Sequence, residues 1–305
     1  MRNATNDGPR MTTWTVILLV VVLNFALSGW LSAPPALRPV VRAIRESSGG
    51  LVSPMLWLRG MEALVVLGGG AFLLGRLRWH DLGVQAAGIL PALAFTAGLW
   101  GAMQLGLLVI DLPDAGRIVW NEEWWVRPTW VLGGMSGDFL GTALCEELVF
   151  RGFLLTQIEA KLRAALGRRS HWSWAVALLA SSIVFAIGHI PYDLRHGTPA
   201  ADYPLKLVVL TLYGVLFAVI YLRSGNLLYA VGVHGLVNAP GLLVQDEGGS
   251  TTFLVLLVLC WLALAPLYRG LTRLAVELRR RQRTAKTGQG GAGEHRPSSG
   301  GGDPQ

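Results

Sequence analysis

The chain has 305 residues, of which 52% are hydrophobic and only 15% are charged. A soluble domain carries about a quarter charged residues, so this composition excludes an ordinary soluble protein and indicates a polytopic membrane protein. The net charge is +7, and residues 269–286, which follow the last apolar run, supply +6 of it. A basic stretch in this place fits a cytoplasmic segment beside anionic lipid and argues against a nucleic-acid partner.

Eight apolar runs approach or reach the roughly 20 residues that a membrane-crossing helix needs. They predict an all-α fold, a polytopic membrane helix bundle with about eight transmembrane helices. The predicted spans are residues 14–31, 51–74, 84–110, 135–157, 172–190, 205–222, 227–244 and 252–268. The first run is long for the apolar core of a signal peptide, which favours an uncleaved span.

Two of these spans contain polar or flexible interruptions. Arg59 and Glu62 interrupt the second span at i,i+3 spacing, and we interpret them as an ion pair on the helix surface. The stretch "GGMSG" at 133–137 is interpreted as a break, after which the fourth span begins.

The distribution of apolar and charged segments divides the chain into three predicted parts. These are N-terminal transmembrane helices (1–130), a transmembrane core (131–268), and a basic juxtamembrane segment with a Gly/Ser/Pro-rich disordered tail (269–305). Basic and acidic loops alternate across eight spans, which predicts a multi-pass plasma-membrane protein with both termini in the cytoplasm. The loop with Arg38, Arg42 and Arg45 is the exception, because it follows the first span on the predicted outer side.

Three short polar clusters lie inside the predicted spans, where ionisable side chains are costly and often functional. The clusters are "EELVFR" (146–151) in the fourth span, "FAIGH" (185–189) in the fifth and "HGLVN" (234–238) in the seventh. Glu147 and Arg151 are one helical turn apart and can pair. Glu146 points about 100° away from them, which leaves it available for chemistry.

The residue types in these clusters suit water activation. A carboxylate in a low-dielectric pocket holds a proton more tightly, so Glu146 is a candidate general base. His189 can share the proton, while His234 and Asn238 can donate hydrogen bonds to a developing oxyanion. Each pair alone is more typical of hydrogen bonds between helices, and Phe185 alone is typical of a core. Together, on three helices, they indicate hydrolysis inside the membrane.

The three clusters, in this order and on separate helices, resemble the EExxxR, FxxxH and HxxxN motifs of the CPBP family. That family comprises CAAX prenyl endopeptidases and bacteriocin-processing or immunity proteins, also called Abi or lysostaphin-resistance-like proteins, and the resemblance covers roughly residues 135–245. It implies an intramembrane endopeptidase, surrounded by membrane lipid, that acts on a membrane-associated protein or peptide. The implied catalytic residues are Glu146, Glu147, His189, His234 and Asn238, and the implied organising residues are Arg151 and Phe185.

The chemistry of the CPBP family is described in two ways. In a metal-free mechanism, Glu146 activates water with help from His189, while His234 and Asn238 form the oxyanion hole. In a zinc mechanism, His189, His234 and a glutamate ligate Zn²⁺. The sequence has no HExxH motif, and asparagine is a poor zinc ligand but a good hydrogen-bond donor. These features favour the metal-free mechanism without a cofactor, with Zn²⁺ as the alternative.

Two other functions stay open at this point. A catalytically idle immunity or scaffold protein would keep the same fold and bind a partner. A proton-coupled transporter would also use intramembrane Glu, His and Arg side chains as a proton relay. Transporters of this kind carry internal repeats, and the sequence shows no such repeat. The complete motifs favour the endopeptidase.

Overall fold

The computed structural model describes residues 10–31, 37–115, 119–166 and 172–244, together with 258–259, 261–262 and 266. In these ranges the protein is an all-α membrane helix bundle, as predicted, with one isolated bridge between Trp120 and Val244. Within the described residues, four helices are long and apolar enough to cross a membrane: Pro54–Leu74, Ala86–Val109, Trp172–Arg195 and Ala200–Ser224. The eighth predicted span, 252–268, lies mostly outside the described residues, so the count of eight stays a prediction.

The described helices are, in chain order, α1 (Trp14–Leu31), α2 (Arg38–Ser47), α3 (Pro54–Leu74), α4 (Ile89–Ala115), α5 (Glu123–Val126), α6 (128–166), α7 (Trp172–Ile187), α8 (Ile190–Arg195), α9 (Tyr203–Ser224) and α10 (Leu227–Asn238). Helix α6 widens into π-helical turns at Gly137–Ala143 and Leu148–Leu155, on either side of the α-helical segment Leu144–Glu147. Turns of this kind are rare and frequently lie at functional sites.

Local sequence signals explain several helix ends. Proline occupies the first position of α3 and of α6, where its missing N–H costs nothing. The side chains of Ser53 and Asn226 accept hydrogen bonds from Met55 N and Leu228 N, which caps the starts of α3 and α10. Gly225 ends α9 in the left-handed conformation, with φ at 70°.

Two predicted boundaries are wrong, and one predicted loop contains a helix. The stretch "GGMSG" is not a break, because Ser136 has helical dihedral angles and α6 runs unbroken through it. The predicted seventh span extends to residue 244, but α10 ends at Asn238, because Ala239 leaves the helical conformation and Pro240 follows it. The predicted loop that contains Arg38 and Arg42 is helix α2, which has no buried residue.

The glycines of α6 form a packing face rather than a hinge. Gly133, Gly137 and Gly141 recur every four residues, a spacing that lets two helix backbones approach closely. A Cβ atom on Gly141 would lie 2.9 Å from the backbone oxygen of Met55, so only glycine permits this contact with α3. The close approach places Arg59, one turn after Met55, beside the part of α6 that follows Gly141.

Candidate active site

Glu147 is the centre of a fully buried cluster. Its side chain and that of Arg151 are both 0% exposed, and Arg151 Nη1 donates a hydrogen bond to Glu147 Oε1 at 2.9 Å, as the i,i+4 spacing predicts. The same oxygen accepts a hydrogen bond from His234 Nδ1 at 2.8 Å. Because a carboxylate only accepts, Nδ1 of His234 carries the hydrogen. Glu147 therefore fixes the orientation of the His234 ring.

Arg151 on α6 links its own helix to α7 and α9 through side-chain contacts. Its Nη2 donates to the backbone oxygen of Gly214 on α9 at 3.2 Å. Its guanidinium group lies over the ring of Phe185 on α7, 4.4 Å from the ring centroid, a cation–π contact. Phe185 in turn packs edge-on against His189, with ring centroids 4.8 Å apart. The two residues predicted to organise the site thus contact each other and the catalytic candidates.

Phe217 on α9 is part of the site, although no sequence motif distinguishes it from other phenylalanines. Its ring stacks on that of His234, with centroids 4.4 Å apart and an interplanar angle of 14°. A phenylalanine in an apolar span carries no signal of its own, so only the packing shows this role. The stack holds one face of the imidazole while Glu147 holds its edge.

Glu146 points away from Glu147 into a different environment. Its Oε2 lies 3.7 Å from His234 Nε2, and its Oε1 lies 3.5 Å from Arg59 Nη2. Its side chain is 10% exposed. Oε2 has no hydrogen-bond partner among the described residues, although buried polar atoms normally have one. Glu147 Oε2 and Glu62 Oε1 also lack a hydrogen-bond partner among the described residues, but Glu146 Oε2 is the one that faces His234 Nε2, where it can accept a hydrogen bond from water.

His189 lies at the bend between α7 and α8, just past the end of α7 at Ile187. Its Nδ1 donates to the backbone oxygen of Phe185 at 2.9 Å, which leaves Nε2 as the acceptor of the neutral ring. The side chain is half-buried. An electrostatic interaction links His189 to Glu146, so the bend brings His189 near the Glu146 carboxylate.

Asn238 is the last residue of α10, one turn beyond His234. Its side chain is exposed, unlike that of His234, which is buried. An exposed amide in this position is accessible to a group that enters the site from outside the bundle. Its role as an oxyanion donor stays a prediction.

The interpretation of Arg59 and Glu62 as an ion pair on the helix surface is wrong. The two side chains do pair, with Arg59 Nη1 2.6 Å from Glu62 Oε2, but Glu62 is only 1% exposed and Arg59 also reaches Glu146. The cost of a charge in an apolar span, which drew attention to Glu146 and Glu147, applies equally to Arg59. That signal was present in the sequence and identifies a fourth helix, α3, at the site.

Asp138 completes the charged surroundings of the site. It is half-buried on α6 and interacts electrostatically with His234, Glu146 and Arg59. Among the described residues, the site joins four carboxylates, two guanidinium groups and two imidazoles: Glu62, Asp138, Glu146, Glu147, Arg59, Arg151, His189 and His234. Such a set can hold charges and move protons within a few ångströms.

The geometry does not fit the alternative zinc site. In the part of the chain that the structure describes, no three His, Cys, Asp or Glu side chains are grouped so as to hold a metal ion. Nδ1 of His234 is bound to Glu147, and Arg59 places a positive charge beside Glu146 that would repel a divalent cation. Whether the reaction is metal-free stays a prediction.

Comparison with known proteins identifies the part of the chain that holds most of the site. Residues 128–240 match the family model described as type II CAAX prenyl endopeptidase Rce1-like. The match begins at α6 and ends just after α10, and it contains all seven residues predicted for the site. Arg59 and Glu62 lie outside it. Neither the curated proteins nor the solved structures include a match to the chain.

Proposed function

Because residues 128–240 belong to the type II CAAX prenyl endopeptidase Rce1-like family, a family of proteases, we propose that this integral membrane protein is an intramembrane endopeptidase. It hydrolyses a peptide bond with a water activated by Glu146. One observation carries the proposal: Glu146, which interacts with His189 and His234, has a buried oxygen, Oε2, that lies 3.7 Å from His234 Nε2 and has no hydrogen-bond partner among the described residues.

The first step is proton removal from water. Glu146 Oε2 accepts a hydrogen bond from the water and takes its proton as the oxygen attacks the peptide carbonyl carbon. The neutral ring of His189 can accept a hydrogen bond through Nε2. It therefore stabilises Glu146 after Glu146 has taken the proton. A base positioned in this way contributes about 10²- to 10⁴-fold to the rate.

The second step is stabilisation of the tetrahedral intermediate and its collapse. The former carbonyl oxygen becomes an oxyanion, which His234 and Asn238 stabilise by hydrogen bonds. His234 donates from Nε2 in its doubly protonated form, since Nδ1 is engaged with Glu147. The C–N bond then breaks, and the proton taken by Glu146 passes to the leaving amine nitrogen. Water is consumed, and a carboxylic acid and an amine are formed.

The substrate of the proposed reaction is a membrane-associated protein or peptide, cleaved in a CAAX-protease-like manner. The site lies among helices that are apolar enough to cross a membrane, so lipid surrounds the protein on the path of the substrate. We propose a metal-free reaction, in which Arg59 and Arg151 provide the positive charges near the carboxylates.

The test compares cells that carry the wild-type protein with cells that carry Glu146→Ala or His189→Ala. Membrane proteomics should show a protein that accumulates uncleaved in both variants, while the level of the endopeptidase itself is unchanged. Glu159→Ala is a matched control, because Glu159 is also buried on α6 and also pairs with an arginine one turn away, Arg163. It should leave cleavage intact.

Other outcomes identify the competing functions. A phenotype that survives both substitutions without any change in cleavage identifies a scaffold or immunity protein. Altered proton or solute flux in proteoliposomes identifies a transporter. If the reaction is metal-free, the purified protein should stay active after chelator treatment. Stoichiometric zinc in the wild type that is lost in His234→Ala would overturn the metal-free proposal.

A further inference from the structure

Arg59 on α3 is the centre of a second charge cluster, which lies next to the cluster around Glu147. Its Nη1 donates to Ser28 Oγ on α1 and to Glu62 Oε2 at 2.6 Å, and its Nη2 faces Glu146 Oε1 at 3.5 Å. The guanidinium group therefore links α1, α3 and α6. Its side chain is only 15% exposed, so water screens these contacts weakly.

The two adjacent glutamates each have their own arginine. Arg151 contacts Glu147 within α6, and Arg59 contacts Glu146 from another helix. Burial alone would make an unpaired carboxylate hold a proton, and a protonated carboxyl group cannot act as a base. A cation beside Glu146 favours the ionised form, which the proposed first step requires.

Arg59 also distinguishes the two oxygens of Glu146. Oε1 faces the guanidinium group, whereas Oε2 faces His234 Nε2 and lacks a hydrogen-bond partner among the described residues. The planar fork of an arginine with two anchored partners has little freedom to turn. Ser28 and Glu62 supply those anchors, so the Glu146 carboxylate is held with Oε2 towards His234.

We propose that Arg59, anchored by Glu62, is a positioning residue for Glu146 that keeps its carboxylate ionised and directs Oε2 to the water. This inference rests on the proposed function, and it extends the active site beyond the residues that match the family model. The close contact between Gly141 and α3 provides the separation at which the arginine can reach.

Infrared difference spectroscopy tests the charge of Glu146 without any substrate. The spectrum of each purified full-length protein is compared with that of its Glu146→Gln counterpart at neutral pH. For the wild type, we expect no C=O band of a protonated carboxyl group in the difference. In an Arg59→Gln background the band should appear, and in an Arg59→Lys background it should again be absent.

Kinetics in proteoliposomes test the positioning role, with an internally quenched farnesylated CAAX peptide as the probe. Arg59→Gln should lower kcat by up to about a hundredfold, the loss expected when a reacting group is misplaced by about 1 Å, with little change in KM. Arg59→Lys should be intermediate, because it keeps the charge but not the fork. Arg163→Gln, which breaks the i,i+4 pair with Glu159, is the control and should match the wild type.

The two measurements separate failure of the inference from failure of the proposed function. If the wild type does not cleave the probe and Glu146→Ala leaves membrane proteins unchanged, the endopeptidase function fails, while the infrared result still decides whether Arg59 sets the charge of Glu146. If the Arg59→Gln spectrum matches the wild type, or if Arg59→Lys keeps the full kcat, the inference is overturned. If Arg59→Gln does not fold, the kcat of Arg59→Lys tests the inference instead.

Discussion

Glu146 and Glu147 are adjacent in sequence, yet the groups around them assign them different tasks. Glu147 accepts hydrogen bonds from Arg151 and His234 through one oxygen and is fully buried, so it holds structure together. Each carboxylate keeps one oxygen without a hydrogen-bond partner in the described part of the chain, but the contacts of Glu146 are looser, at 3.5 and 3.7 Å. Short hydrogen bonds suit a structural role such as that of Glu147. Longer contacts suit a group that must accept and release a proton, such as Glu146.

This division predicts that substitutions of the two glutamates affect stability and cleavage differently. Glu147→Gln removes one charge from a buried pair and leaves Arg151 uncompensated, which costs about 3–5 kcal/mol of unfolding free energy. Glu146→Gln should change stability much less and abolish cleavage. Unfolding in mixed detergent, measured for both variants beside cleavage of the internally quenched farnesylated CAAX peptide, checks the contrast. Equal stability losses in the two variants would contradict it.

At the residue scale, local spacing revealed some contacts and not others. The pair between Glu147 and Arg151 follows from an i,i+4 spacing, since the helix itself brings the two together. The contact between Glu147 and His234 joins residues 87 apart in the chain. No spacing rule gives such a contact, and Arg59 reaches Glu146 in the same way. The motifs identified the chemical groups, whereas helix packing decides which of them meet.

At the scale of helices, the glycine face of α6 determines how close α3 can come. Gly137 would place a Cβ atom against Ser53, and Gly141 would place one against the Met55 backbone, so neither position has room for a side chain. In a membrane, where lipid tails are as apolar as the helix surfaces, such close packing is a main source of association. The same contact brings Arg59 to Glu146, so helix packing and catalysis depend on one surface.

We therefore predict that Gly141→Ala weakens both stability and activity. The new methyl group must push α3 away, and overpacking of this kind costs about 1–3 kcal/mol. Gly134→Ala is the matched control: it lies on the same helix, has open space around it, and gains helix propensity. Unfolding free energy and kcat of both variants check the prediction. If the two alanines behaved alike, the glycine face would not be the determining contact.

The long helices were predictable from the apolar runs, whereas the short helices α2 and α5 were not, and two interpretations failed for a common reason. Glycine clusters and charged residues in a span were interpreted by their usual local meaning, as a break and as a surface pair. In α6 the glycines stay helical and provide contact, and in α3 the charges point inward. Local patterns do not say which face of a helix another helix covers. For that reason the role of α3 in the site was missed.

At the scale of the whole molecule, orientation in the membrane depends on loop charges. The alternation of basic and acidic connections predicts that both termini lie in the cytoplasm, with three arginines after the first span as the exception. The structure places these arginines on helix α2, and the guanidinium group of Arg45 lies 4.2 Å from the centroid of the Trp130 ring. The charge of Arg45 is thus held against the bundle, whereas Arg38 and Arg42 are exposed on α2. We expect this short helix to weigh little in setting orientation.

Reporter fusions test this orientation along the chain. Fusions after residues 78, 166, 224 and 305 should report a cytoplasmic position, because each follows a basic connection, and a fusion after residue 119 should report the opposite side. Replacing Arg38, Arg42 and Arg45 together by glutamine should leave the pattern unchanged if α2 is held against the bundle, whereas neutralising Arg76 and Arg78 should disturb it. A fusion at residue 305 that lies outside would mean an odd number of spans. It would also place the basic residues of 269–286 on the side of the membrane opposite the anionic cytoplasmic leaflet.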